Sequence, residues 1–298
     1  MAVEGIAVRP APPGPFTALW HAFRENRGAV VGLAVVIVIV LTAIFAGFIA
    51  PHDPLEQFRG FSKMPPFWKE GSDPRFLLGT DAVGRDMLSR IMYGARVSLF
   101  IGLSVMTVSM VFGIAFGLAS AWFGGIVDVL IIRVMDLIMS IPGLVLAILI
   151  IAVIGPNLTN TIIAVTVVYL PRYVRLVRAS ALAELTKDYV TASKVAGVRP
   201  WRLMTVTVLP NCLAPLIVQA ALGMSDAILE AAALGFLGLG AQPPTPEWGS
   251  MLADTRDLMS SHPWVMAFPG IAILITVLSI NLVGDGLRDA LDPRLRRS

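Results

Sequence analysis

From Gly28 to Ala50 the chain runs without a single charged side chain. About 20 such residues wound as an α-helix span the hydrocarbon core of a bilayer. The stretch exceeds the apolar region of a cleaved leader, about 7–15 residues, and is read as an uncleaved first transmembrane helix. Largely apolar runs follow at Val97–Phe123, Leu137–Ile154, Leu158–Val177, Leu213–Leu239 and Val265–Val283, the third and fourth of them carrying a few charges. Lipid offers the backbone no hydrogen bonds, so such runs must close their own as helices. The expected fold is all-α and polytopic, with six transmembrane helices. Of 298 residues, 56% are hydrophobic and only 14% charged, against about 25% charged in a soluble domain. A soluble enzyme is excluded at this step, and the net charge of +3 is too mild to signal nucleic acid.

Charge placement sets the expected orientation. Arg9, Arg24 and Arg27 precede the first span, which puts the tail 1–27 in the cytoplasm. Six spans return the C-terminal tail, 286–298 with Arg288, Arg294, Arg296 and Arg297, to the same side. Between the first helix, 28–50, and a core of five spans, 97–285, lies an extracytoplasmic segment, 51–96. Pro51, Pro54, Pro65, Pro66 and Pro74 predict that it is largely irregular. It carries many basic residues, but acids are interspersed and the positive-inside bias weakens in longer loops. A second outer segment, Ala241–Pro263, is expected to be rigid and irregular because of Pro243, Pro244 and Pro246.

Several residues inside the spans stand out. Gly113 and Gly117, four apart, give one small face suited to close helix packing. Gly124-Gly125 predicts a turn, and Pro142-Gly143 a kink or break. Asp128, Arg133 and Asp136 are expected to pair locally at the inner surface. Arg172, Arg175 and Arg178 share a helical face and suit anionic headgroups or carboxylates on a partner, headgroups being the commoner explanation. Asp226 and Glu230 are also four apart, on one face of the fifth span. Ionisable groups at membrane depth are costly and mark either a solute path or a structural pairing, and both readings stand for these two. No basic residue of the other spans is an obvious partner, which points outside the chain.

Lys187–Asn211 is a polar, basic island between apolar runs. It reads as two short helices. Asp188 is the expected N-cap of the first, Asp188–Ala196, and Gly197 its left-handed C-cap. Pro200 suits the first turn of the second, and Pro210 marks entry into the next apolar run. Catalytic motifs are absent: there is no G-x-x-x-x-G-K-S/T, H-E-x-x-H or G-x-S-x-G. His21, His52 and His262 lack ligand spacing, so no metal site is expected, and the lone Cys212 forbids an internal disulfide.

The island's spacing resembles the cytoplasmic coupling loop of ABC-importer permeases, E-A-A, three residues, Gly, nine residues, Ile, one residue, Leu-Pro. The aligned residues are Thr191, Ala192, Ser193, Gly197, Thr207, Leu209 and Pro210, so the Glu, one Ala and the Ile are replaced. Asp188–Gly197, D-Y-V-T-A-S-K-V-A-G with Tyr189 and Ala196, is the form of the peptide and nickel class. Leu77–Leu99, Ala232–Gly249 and Asn281–Leu295 also resemble that class, over nearly the whole chain from about Trp20. Within it the chain is most similar to the C-type permeases of bacterial dipeptide importers.

The resemblance implies a type I ABC-importer permease fold in the bacterial inner membrane. It implies a homologous second permease, two ATP-binding subunits that hold the ATP and Mg, and an extracytoplasmic binding protein that delivers peptide. This chain would bind no cofactor. An oligopeptide, glutathione or nickel permease is the nearest alternative. An ion-coupled secondary transporter using Asp226 and Glu230 leaves the loop unexplained, and a membrane enzyme lacks a nucleophile.

Overall fold

The computed structural model describes residues 14–291, which are helical apart from turns, irregular stretches and one isolated antiparallel bridge, Thr80 to Asp86. The tails 1–13 and 292–298, with Arg9, Arg294, Arg296 and Arg297, lie outside the described residues. Helix α1 (Pro15–Glu25) has proline in its first turn, where a missing N–H is harmless. Asn26 then caps α2 (Arg27–Ile49), accepting the Ala29 N–H. Its amide also donates to Asp289 of α11 (Pro263–Leu291) at 3.0 Å. Phe23 of α1 is buried with Ala29 and Ala290, which fastens the start of α2 to the end of α11.

Helix α3 (Met87–Phe123) begins well before the expected span at Val97. Asp86 caps it through the Ser89 N–H at 2.9 Å. Arg90 and Arg96 are therefore helical and not part of an irregular segment, because a cap, not the apolar boundary, decides where a helix starts. Gly124 (φ +59°) and Gly125 (φ +50°) turn the chain in the left-handed region that glycine tolerates. Helices α4 (Gly125–Met139) and α5 (Gly143–Ile154) follow, bent by 93° at the Pro142 break. The expected third span, 137–154, is thus two helices, and Asp128, Arg133 and Asp136 lie on α4. Helix α6 (Leu158–Leu185) leads to the basic island, α7 (Asp188–Val195) and α8 (Pro200–Arg202). A π-helical turn, Leu203–Val208, carries α8 without interruption into α9 (Leu209–Phe236).

Four helices are long and apolar enough to cross a membrane: α2, α3, the run Pro200–Phe236 and α11. The bent α4–α5 pair makes a fifth if it is counted as one span. The expected fourth span lies in α6, whose arginines leave it less apolar than the others.

Close packing of α3, α6 and α9 forms the centre. A Cβ on Gly113 would collide with Tyr173 of α6, and one on Gly117 would lie 2.7 Å from the Val177 Cβ. The small face of α3 therefore receives α6. On the α9 side, any Cβ on Gly223 would strike the Tyr173 hydroxyl.

The segment 51–86 has no helix, yet it is pinned to the bundle. Arg85 pairs with Asp81 at 2.6 Å and with Asp254 at 3.4 Å, and His52, Phe58 and Phe76 pack ring to ring. The expected irregular stretch 241–263 contains a short helix, α10 (Trp248–Asp254). Glu247, 1% exposed, caps it by accepting the Gly249 N–H at 2.7 Å and the Ser250 N–H at 2.8 Å. Burial raises this carboxyl group's pKa, and the two backbone bonds oppose the rise.

Candidate functional site

Two groups of residues could carry function. The first is a ladder of charge along α6. Residues three apart on a helix share one face, and each arginine of the 172–175–178 series meets an aspartate on a neighbouring helix. Arg172 donates to Asp226 of α9 at 2.9 Å, Arg175 pairs with Asp136 of α4, and Arg178 grips Asp128 of α4 at 2.5 and 2.6 Å. Ser120 of α3 also donates to Asp128. The arginines are thus paired with aspartates inside the chain, while Arg172 and Arg175 stay about half-exposed. Asp226 has its partner within the chain as well, contrary to the expectation of one elsewhere. Asp128 and Asp136 bridge to α6 and not to Arg133, which makes no ion pair among the described residues.

Asp226 and Glu230 occupy one face of α9, but their surroundings differ. The Arg172–Asp226 pair is half-exposed, and Arg172 lies over the Tyr169 ring at 4.8 Å. Glu230 Oε1 is buried with no hydrogen-bond partner, beside Gly143 at the α4–α5 break. Pro142, at the N-cap of α5, supplies no side-chain cap for the first amides of that helix. The arrangement offers a cation paired with an anion, an aromatic wall from Tyr169 and a carboxylate with spare capacity. Sequence reasoning singled out Arg172 but not its pairing with Asp226, and it missed Tyr169. The arginine spacing was the available signal, but not which helix faced it.

The second group is the 187–211 loop. Lys187, not Asp188, is the N-cap of α7, and it makes no side-chain cap. Asp188 is the first helical residue, where its negative charge favours the helix N-terminus. Gly197 takes φ +76°. Its N–H donates to Lys194 O at 3.0 Å, and the Val198 N–H donates to Ser193 O at 3.2 Å, the two bonds of a Schellman motif. The loop has two faces. Val190, Leu203, Met204 and Val208 are buried against Leu118, Tyr173, Val177 and Ala181 of α3 and α6. Asp188, Thr191, Ala192, Ala196, Gly197 and Pro200 are exposed, with Val195 85% and Trp201 65% accessible. Ser193 is half-buried, and its hydroxyl donates to Tyr189 O. Leu209 and Pro210 open α9.

A strut missed from sequence ties the loop to α6 and α9. The Tyr189 hydroxyl donates to Glu184 at the end of α6, and Asn211 of α9 donates to that hydroxyl at 3.2 Å. Lys187 pairs with Glu184 at 2.6 Å. Partial burial raises the Glu184 pKa, but the bonds from Lys187 and Tyr189 outweigh it and hold the carboxyl below its ordinary range. Desolvation and the bond to Glu184 push the Tyr189 phenol up to about 12.

The class these features define is a polytopic membrane protein: a helical bundle with four apolar helices long enough to cross a membrane, or five with the bent pair, and a two-faced loop at one end. The comparisons place it. Residues 91–297 match the family of binding-protein-dependent transport system inner membrane components, and 14–66 match the N-terminal TM domain of oligopeptide transport permease C. The chain belongs to that inner-membrane permease family. It is 55% identical to the di/tripeptide transport system permease protein DppC of Pseudomonas aeruginosa, over 96% of this chain and 94% of that one. It is also 55% identical to the dipeptide transport system permease protein DppC of Escherichia coli K12, over 97% and 96%. Among solved structures it resembles an inward-facing MetNI methionine ABC transporter chain, with TM-score 0.57 and 21% identity, covering 69% of this chain and 98% of that one. That likeness shows the fold alone.

Proposed function

We propose that the chain is a permease subunit of an ATP-driven importer that moves dipeptides or short peptides across the bacterial inner membrane. Its 55% identity to two DppC permeases over nearly their full lengths carries this reading. In it, α6 completes a set of six spans, both termini face the cytoplasm, and the 187–211 loop lies on the cytoplasmic side. A homologous second permease completes the path, and an extracytoplasmic binding protein delivers peptide. ATP and Mg are held by two separate subunits, which the exposed face of the loop meets. The buried face fixes that loop to α3 and α6, so motion imposed at Val195 and Trp201 reaches the bundle.

Within the path, Glu230 is the residue proposed to meet the peptide ammonium, because Asp226 is already neutralised by Arg172. A charge-assisted hydrogen bond contributes about 1.5–3 kcal/mol. Glu230→Gln is therefore expected to lower uptake about tenfold or more while assembly is unchanged. Unchanged uptake in a properly assembled variant removes Glu230 from the path. Uptake that instead follows a proton gradient and needs no ATPase favours a secondary transporter.

A further inference from the structure

Arg96 does not fit the role of a paired structural charge. It sits on α3 near the end of the bundle that carries the 51–86 segment. Its Nε donates to Ala43 O at 3.0 Å and its Nη2 to Ile44 O at 3.1 Å, both on α2. These carbonyls orient the guanidinium but carry no full charge, and no carboxylate is within ion-pair distance of it among the described residues. The guanidinium lies over the Tyr93 ring at 5.2 Å, which supplies only a weak cation–π contact and no counter-charge.

Two concavities meet at this guanidinium. Toward the membrane interior runs a groove of about 510 Å³, walled by Val40 and Ile44 of α2, Phe100 and Leu103 of α3, and Met224 of α9. Arg96 is its one charged lining residue. From Arg96 to Leu103 the groove follows α3 for about 10 Å at 1.5 Å per residue. One leaflet's hydrocarbon is about 15 Å deep, so the groove takes much of one acyl chain. Toward the end of the bundle lies a depression of about 360 Å³ lined by Asp53, Tyr93, Arg96, Thr245 and flanking prolines. Asp53 and Arg96 both line it, yet they do not pair with each other. Asp53 Oδ1 accepts the Leu55 N–H at 2.8 Å, and its other carboxylate oxygen accepts no hydrogen bond among the described residues.

Depth agrees with a lipid. Helix α2 ends at Ile49, so Ile44 lies about 8 Å below that end. The interfacial layer on each side of a bilayer is about 5–7 Å thick. Arg96 therefore stands where headgroup phosphate gives way to acyl chain.

We propose that this site holds one phosphatidylethanolamine molecule of the adjoining leaflet. Its phosphate lies on Arg96, its ammonium faces Asp53, and one acyl chain fills the groove between α2, α3 and α9. Opposite charges in the depression match a headgroup that carries both signs and a hydrogen-bonding ammonium. Phosphatidylglycerol has no cation for Asp53, and the methylated ammonium of phosphatidylcholine cannot donate to it. A helix of another subunit, the competing occupant, would have to bring its own acid to Arg96.

The assembled complex in nanodiscs of equal parts phosphatidylethanolamine, phosphatidylglycerol and phosphatidylcholine, released for native mass spectrometry, tests this. The wild type should retain phosphatidylethanolamine in preference to the other two. Arg96→Gln should lower retention of bound phospholipid about fivefold, the worth of one basic side chain at a lipid surface. Asp53→Asn should keep a bound lipid but lose the preference. If Arg96→Gln does not assemble, photo-crosslinking of the wild type with a diazirine phosphatidylethanolamine decides. Labels should concentrate on Val40, Phe100 and Leu103 over the exposed Leu130 and Val153. Equal labelling of all five, no preference in the wild type, or loss of a co-purifying permease with lipid unchanged in Arg96→Gln overturns the proposal.

Discussion

Replacing Gly113 with valine is expected to lower sharply both the yield of folded protein and its melting temperature. Any Cβ at 113 would overlap Tyr173, and its backbone lies 3.2 Å from the Cβ position. Tyr173 cannot turn away, because it is fully buried and its hydroxyl donates to Gln219 O. Helices α3 and α6 would have to separate, and Val177, packed under Gly117, would separate with them. Overpacking a well-filled core costs about 1–3 kcal/mol when side chains can adjust. Here only backbone can move, so the cost should reach at least about 3 kcal/mol, a large part of a typical domain's stability. The check is the monodisperse yield and melting temperature in mild detergent, beside a Val111→Ala control on the exposed side of the same turn. A Gly113→Val protein that melts with the control would show that α3 and α6 are not packed as described.

The second large effect is expected at Arg178. Its two bonds to Asp128, with Ser120 as third member, tie α6 to α4 and α3. Arg178→Met leaves the partly buried Asp128 carboxylate without its cation, with only the Ser120 hydroxyl still donating to it. Breaking a buried pair from one side costs about 3–5 kcal/mol. The side chains here are 30% and 23% exposed, so solvent screening places the loss below that range, at about 2 kcal/mol. Removing both charges should be far milder, because a buried pair often exchanges for apolar groups at little net cost. The double variant Arg178→Met, Asp128→Leu should therefore recover most of the melting temperature lost in the single variant. No recovery would mean that Arg178 stabilises the bundle by some route other than Asp128.

These pairs also mark where sequence stops being informative. Gly28–Ala50 is legible because lipid leaves a long apolar run one way to satisfy its backbone. The left-handed turn at Gly197 is legible for a similar reason, since its cause is local. The start of α3 at Met87 was hidden, because Asp86 and Ser89 form the cap in a stretch that prolines and charges mark as loop. Glu247 was hidden in the same way, behind Pro243, Pro244 and Pro246. The spacing of Arg172, Arg175 and Arg178 put them on one face, but the aspartates they meet come from α4 and α9, which only the fold brings alongside. For the same reason Glu230 could not be told from Asp226, though one is paired and the other has a buried oxygen without a partner.

In the proposed function this permease is driven through its 187–211 loop by ATPases on other chains. The most direct measurement is co-purification from mild detergent, with bound chains identified by mass spectrometry. It compares the wild type with a Val195→Asp, Trp201→Ala variant, both changes lying on the exposed face of the loop. The wild type should bring down a second permease and ATP-binding subunits, and the variant should keep the permease and lose the ATPases. A wild type that purifies alone and transports when reconstituted alone would contradict the account.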